Sequence, residues 1–172
     1  DNHAEPNLQE QQGCTALMYA SKNGHEAVVR LLLDNHAEPN LQEQQGCTAL
    51  MFASQNGHEA IVRLLLDNHS DPNLQEQQGC TALMAASQNG HKTVVRLLLT
   101  NCANPYLHTQ QGYKAMTYAS RDCHIKISLM LLKAEYTNFW QGTLEETMMK
   151  IVTITILFHL CLGTHHLIQL GF

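Results

Sequence analysis

Eleven histidines and six cysteines stand out in a chain of 172 residues. Both types ligate metals, and paired cysteines also build disulfide frameworks. Their positions decide between these chemistries. His3, His36 and His69 lie 33 residues apart, as do His25, His58, His91 and His124. Cys14, Cys47 and Cys80 recur at the same interval. A zinc ion holds histidine nitrogen at about 2.0–2.1 Å, whereas stacked helices stand about 8–10 Å apart. Equivalent residues of successive units therefore do not converge on one ion, and the same separation opposes disulfides between them. Cys102, Cys123 and Cys161 form no C-x-x-C pair. The spacing predicts one turn histidine per unit and free thiols in a reducing, intracellular setting. No metal and no cofactor is expected.

Catalytic motifs fail in the same way. His25-Glu26-Ala27-Val28-Val29 begins like the zinc-protease helix H-E-x-x-H, but its fifth position is valine, and Lys92 replaces the glutamate one interval further on. No G-x-S-x-G, G-x-G-x-x-G or phosphate-binding loop occurs. Asn68-His69-Ser70 has the form of a glycosylation acceptor in one copy only and reads as a helix-exit turn. No catalytic residue is assigned, and the chain is not expected to be an enzyme. The net charge of −5, from 10 basic and 15 acidic residues, opposes binding driven by phosphate neutralisation. An aromatic content of 6% is poor for base stacking, and an apolar content of 44% opposes disorder.

The interval of 33 is the organising element. Residues 34–66 repeat residues 1–33 with three changes, at Phe52, Gln55 and Ile61. Residues 67–99 differ from 34–66 at six positions, and residues 100–132 are a worn fourth copy. Such a chain forms a linear array in which each unit buries its apolar face on its neighbours. Within a unit, Thr15 is placed to cap a short helix carrying Ala16, Leu17 and Ala20. Asn23-Gly24-His25 breaks that helix. A second helix, Glu26 to Leu33, is apolar around most of its circumference, with Glu26, Ala27 and Arg30 as its wetter side. Pro39 then forbids helix, and polar Leu41 to Gly46 makes a loop or hairpin to the next unit.

These features resemble the ankyrin repeat family, whose 33-residue unit is a β-turn with two helices around a T-P-L-H-x-A core. The matching stretches are Thr15–Ala20, Thr48–Ala53 and Thr81–Ala86, with the N-G-H turn, the V-V-R-L-L-L helix and the A-E-P-N entry beside them. The resemblance covers roughly residues 1 to 136. It implies an all-α fold, an ankyrin-repeat solenoid of stacked helix-turn-helix units joined by β-hairpin-like loops. The implied organisation is a hairpin remnant at 1–12, repeats at 13–45, 46–78 and 79–111, a degenerate fourth at 112–140, and a hydrophobic segment at 141–172. The chain departs from the family in three places. Ala16, Ala49, Ala82 and Ala115 replace the helix-opening proline, and Met18, Met51, Met84 and Thr117 replace the histidine. His36, His69 and Cys102 replace the glycine after the second helix, where a left-handed backbone suits glycine best. Such units are expected to fold but to be less stable than an idealised repeat.

Both ends raise expectations of their own. Asp1 to Gln12 reads as the tail of an earlier helix pair, so the chain reads as a fragment whose N-terminal face lacks a cap. From Ile151 to Phe172 there is no Asp, Glu, Lys or Arg. That segment is expected to cover the last repeat; a membrane anchor, long enough at 22 residues, is the alternative, and lack of order is the third.

Function is therefore expected on a binding surface. The leading reading is a non-catalytic scaffold or adaptor, intracellular and cytoplasmic, that binds another protein on the concave face. A membrane-anchored array and the regulatory region of a larger enzyme are the alternatives. In the family, contacts come from hairpin tips and the first helix. Carried onto this chain, these are Gln44, Gln45, Gln77, Gln78, Gln110 and Gln111 at the tips, Cys47, Cys80 and Tyr113 beside them, and Gln55, Gln88 and Arg121 at the helix. The resemblance also makes Asn40 and Asn73, each seven residues after a leucine, candidate substrates of an asparagine hydroxylase. Pro39 and Pro72 stand where the family has an aliphatic residue.

Overall fold

Thr15, Thr48 and Thr81 each hold an extended backbone, and each hydroxyl accepts the amide three residues on, from Met18, Met51 and Met84, at 3.3 Å. That bond satisfies an amide the helix start leaves orphaned. In a computed structural model describing residues 5–137, these caps open α1 (Ala16–Asn23), α3 (Ala49–Asn56) and α5 (Ala82–Gln88). Lys114 replaces the threonine before α7 (Ala115–Arg121), and the bond runs the other way: the Lys114 amide donates to the Thr117 hydroxyl at 3.3 Å. The second helices are α2 (Glu26–Asp34), α4 (Glu59–Asp67), α6 (Lys92–Thr100) and α8 (Ile125–Thr137). No strand occurs among the described residues. The hairpin segments between helix pairs are turns.

First helices pack on first helices, α1 on α3 on α5 on α7, and α2, α4 and α6 form a second row behind them. Leu17, Leu50 and Leu83 from the first row and Val29, Val62 and Val95 from the second meet in one continuous core, each at most 1% exposed. This is the architecture of a repeat array, each unit completing its neighbour. The same side chain shows what the neighbour does. At one position of the second helix, Ile61 is 1% and Val94 0% exposed, while Val28 of the first unit is 46% exposed. Leu31, in the same helix, is 63% exposed. The solvated edge of each second helix is the expected one, and the ion pair Glu26–Arg30 at 3.1 Å lies on it.

The helix exits use αL residues without glycine. His36, His69 and Cys102 have φ of 64°, 63° and 62°. From there the chain doubles back, so that the Ala37, Ser70 and Ala103 amides reach Leu32, Leu65 and Leu98 carbonyls at 2.9–3.0 Å. An L-residue pays a steric penalty of roughly 1–2 kcal/mol in this region. We expect His36→Gly and His69→Gly each to stabilise the protein by roughly 0.5–1 kcal/mol, after glycine's larger unfolded entropy is offset. Thermal melts check this, and a lowered midpoint in both would refute it.

Candidate interaction surface

The turn histidines are joints between units. His58 Nε2 lies 3.2 Å from the Lys22 carbonyl, His91 Nε2 3.0 Å from that of Gln55, and His124 Nε2 3.0 Å from that of Gln88. Each ring reaches the end of the preceding first helix and satisfies a carbonyl there. Gly57 (φ +73°) faces this contact so closely that a Cβ would stand 2.6 Å from the His91 ring. Among the described residues, no three His, Cys, Asp or Glu side chains gather as a metal site.

The predicted hairpin tips divide into two sets. Gln44, Gln77 and Gln110 face along the array: their amide nitrogens donate to the carbonyls of Gln11, Gln44 and Gln77 at 2.9, 2.8 and 2.6 Å. Their backbone amides donate to Gln12, Gln45 and Gln78 as well, at 2.8–3.0 Å. Gln42 and Gln75 continue the pattern, each bridging its own turn to the next unit. Gln45, Gln78 and Gln111 are exposed, with no side-chain hydrogen bond among the described residues. Sequence reasoning did not see this division. Polar residues recurring unchanged at one position of every copy are the signal that could have found it, because a ladder needs the same donor in each unit.

Asn40 and Asn73 are joints too. The Asn40 carboxamide donates to the His69 carbonyl at 3.2 Å and accepts from the Asp71 amide at 2.8 Å. Asn73 does the same with Cys102 and Asn104, at 3.2 and 2.7 Å. Both atoms of each carboxamide are held by the next unit.

Beside the tips lie Cys47 and Cys80, half-buried, with Tyr113 in the same position of the fourth unit and 44% exposed. Burial, a hydrogen bond to Glu43 and the charges of Glu43 and Glu76 push the Cys47 thiol up to about 12. Burial opposes ionisation of Glu43, but the backbone amides of Gln45 and Cys47 and the Cys47 thiol outweigh it and hold that carboxyl below its ordinary value. The thiolate is the nucleophile, so raising the pKa from 9.0 leaves about a thousandfold less of it at neutral pH. Iodoacetamide at pH 8 should therefore modify exposed Cys102 and Cys123 well before Cys47, and the Cys47 rate should still be rising at pH 10. Peptide mapping over time checks the order; Cys47 reacting first would overturn it.

The first helices carry aromatic residues at one position, exposed at Tyr19 and half-buried against the core at Phe52 and Tyr118. Tyr19, Phe52 and Tyr118 occupy one position of successive units, and Ala85 occupies it in the third. Cations stand over these rings: Lys22 Nζ is 5.7 Å from the Phe52 centroid and the Arg121 guanidinium 5.4 Å from that of Tyr118. Tyr113 meets Tyr118 edge to face at 6.2 Å. Gln55, Gln88 and Arg121 share the next exposed turn. The described cysteines Cys14, Cys47, Cys80, Cys102 and Cys123 are all free thiols.

Helix pairs stacked in register, capped by threonine and joined by turn histidines and hairpin ladders, define a helical repeat protein built around interaction surfaces. The sequence profile of ankyrin repeats, in three copies, matches residues 2–76 and 61–140. The chain belongs to the ankyrin repeat family, whose repeats are in general protein–protein interaction modules and typically non-catalytic. A comparison with curated proteins gives no match. No helix among the described residues is long and apolar enough to cross a membrane; residues 151–172 lie outside them.

Proposed function

We propose that this chain is a non-catalytic adaptor that binds one partner protein across the solvent face of its first helices and hairpin tips. The observation that carries this reading is the division of polar groups. Ladder residues such as Gln44 and Asn40 tie the units together, while Gln45, Gln55, Gln78, Gln88 and Arg121 are exposed to solvent. A frame knitted by its own side chains leaves a rigid display surface, which lowers the ordering cost of binding. Free thiols throughout the described array support an intracellular, reducing setting.

Affinity capture followed by direct binding tests the surface. Tyr113→Ala and Arg121→Glu should weaken a captured partner at least about tenfold, as truncation at an interface centre does. Arg63→Glu, on the second-helix edge, should leave it unchanged. Loss with Arg63→Glu alone would move the site to the other side. An asparagine hydroxylase at Asn40 or Asn73 would first have to part that residue from the next unit. Intact mass after exposure to such an enzyme, showing no added oxygen, removes that reading.

A further inference from the structure

The outer face of the first unit carries the groups with which later units join their predecessors. Ala49, Ala82 and Ala115 are 1% exposed, and Ile61, Val94 and Ile127 at most 2%. Each of these sits against the helix pair before it. Their counterparts Ala16 and Val28 are exposed, Val28 at 46%. Two polar groups share this placement. His58 and Gln44 bond to the carbonyls of Lys22 and Gln11 in the preceding unit. Their counterparts, the His25 ring and the Gln11 carboxamide, make no side-chain hydrogen bond among the described residues. The face is an apolar patch with two donors placed as in every internal joint.

The opposite end of the array is built differently. Gly24, Gly57 and Gly90 end the first helices with φ of +77°, +73° and +77°. A Cβ on them would stand 2.8, 2.6 and 2.6 Å from the histidine ring of the following unit. Cys123 holds this position in the fourth unit with φ of 58°, so the backbone keeps its left-handed form and gains a side chain. Its Cβ fills the space into which a following histidine would lay its ring, and that ring could not reach the Arg121 carbonyl. The helix behind departs as well. α2, α4 and α6 end after nine residues and turn through His36, His69 and Cys102. α8 runs for 13 residues with Glu135 at the corresponding position, and the Tyr106 hydroxyl donates to the Glu135 carbonyl. The turn that leads each earlier unit into the next hairpin is not made there.

We propose that the array accepts further units on one side only. The outer face of the first unit takes an ankyrin helix pair whose first helix ends in glycine, and Cys123 closes the fourth unit to the same contact. The incoming unit brings a helix-end carbonyl for His25, a hairpin carbonyl for Gln11 and an apolar surface for Ala16 and Val28. These are the contacts that join the internal units, and each leaves a donor or an apolar group satisfied. A second copy of this chain does not meet the same requirement. Set first face to first face, two copies bring like donors together. Set end to end, they bring Cys123 against His25. The partner is a glycine-ended unit, and Gln45, Gln78 and Tyr113 of the adaptor surface take no part in holding it.

A copy of residues 1–33 joined ahead of Asp1 in the full chain supplies such a unit and tests both halves. The extended chain should melt in a single transition, with its midpoint raised by at least about 4 °C. Val28→Ala in the original first unit should then lower that midpoint by about 4–8 °C, as Val94→Ala does. In the unextended chain Val28→Ala should shift it by less than about 2 °C. A separate transition for the added copy, or a Val28→Ala effect that the extension leaves unchanged, overturns the open face. Gly24→Cys in the added copy reproduces the ending of the fourth unit and should remove most of the rise. His25→Ala in the original first unit should then recover part of it, although with glycine in the added copy it lowers the midpoint. Left-handed strain alone would give losses that simply add. Additive losses therefore overturn the role of Cys123.

Discussion

Ile61→Ala should destabilise the protein by about 2–5 kcal/mol, whereas Val28→Ala, at the same position one unit earlier, should cost well under half as much. The two side chains differ by one methylene group in size but far more in surroundings. Ile61 lies between the first and second units with 1% of its surface exposed, while Val28 is 46% exposed. Truncating a buried isoleucine loses its transfer free energy and leaves a cavity, and the sum falls in the 2–5 kcal/mol range. At Val28 water already reaches the side chain, so little cavity forms. Urea unfolding reads both, as a shift of midpoint at constant slope. Equal losses would mean that stacking does not bury this position. A changed slope for Ile61→Ala alone would show that the array has split into separately melting parts, as nearest-neighbour coupling allows.

The second large effect comes from a comparison between two glycines. Gly79 and Gly112 hold the same hairpin position in the third and fourth units, with φ of +85° and +80°. A Cβ on Gly79 would stand 2.9 Å from the Thr109 Cα of the next unit, while one on Gly112 meets nothing within 4 Å among the described residues. Gly112→Ala therefore carries backbone strain alone, roughly 1–2 kcal/mol. Gly79→Ala carries the same strain and also pushes against a backbone that cannot rotate away. The added cost is on the order of 1–3 kcal/mol, as in overpacked cores. Thermal melts of the two variants isolate the close approach of successive hairpins. If Gly112→Ala proved as damaging as Gly79→Ala, the hairpins would not be in contact.

The parts of this fold that were legible in the sequence are those encoded within one unit. Thr15 before an apolar helix, Gly24 after it and His36 in a left-handed turn each act on residues within a few positions, so local rules suffice. What was not legible acts between units. His58 reads as a turn residue, but its ring bonds to Lys22, 36 residues back. Gln44 reads as an exposed tip residue, and its amide belongs to a ladder. Asn40 reads as a modification target, and its carboxamide clasps the following turn. In each case the partner is fixed by the stacking distance, which no single copy contains. The candidate surface was half visible for the same reason. Tyr113 and Arg121 announced themselves by breaking the repeat, while the ladder residues beside them gave no such sign.

The joints themselves carry no address. The seat that holds the second unit against the first uses His58, Gln44 and a clasp on the following turn by Asn7; the next seat uses His91, Gln77 and Asn40. One unit's coupling fits another's socket, so only the continuity of the peptide chain dictates which copy sits where. Folding can then begin at any seat, but two molecules refolding side by side can also exchange copies. Refolding at rising protein concentration should therefore yield increasing amounts of interlinked dimer by size-exclusion chromatography, and a yield of monomer independent of concentration would refute this. The fourth unit, for all its changes at Tyr113 and Lys114, is seated by the same three contacts, through His124, Gln110 and the Asn73 clasp, so its joint is as interchangeable as the rest.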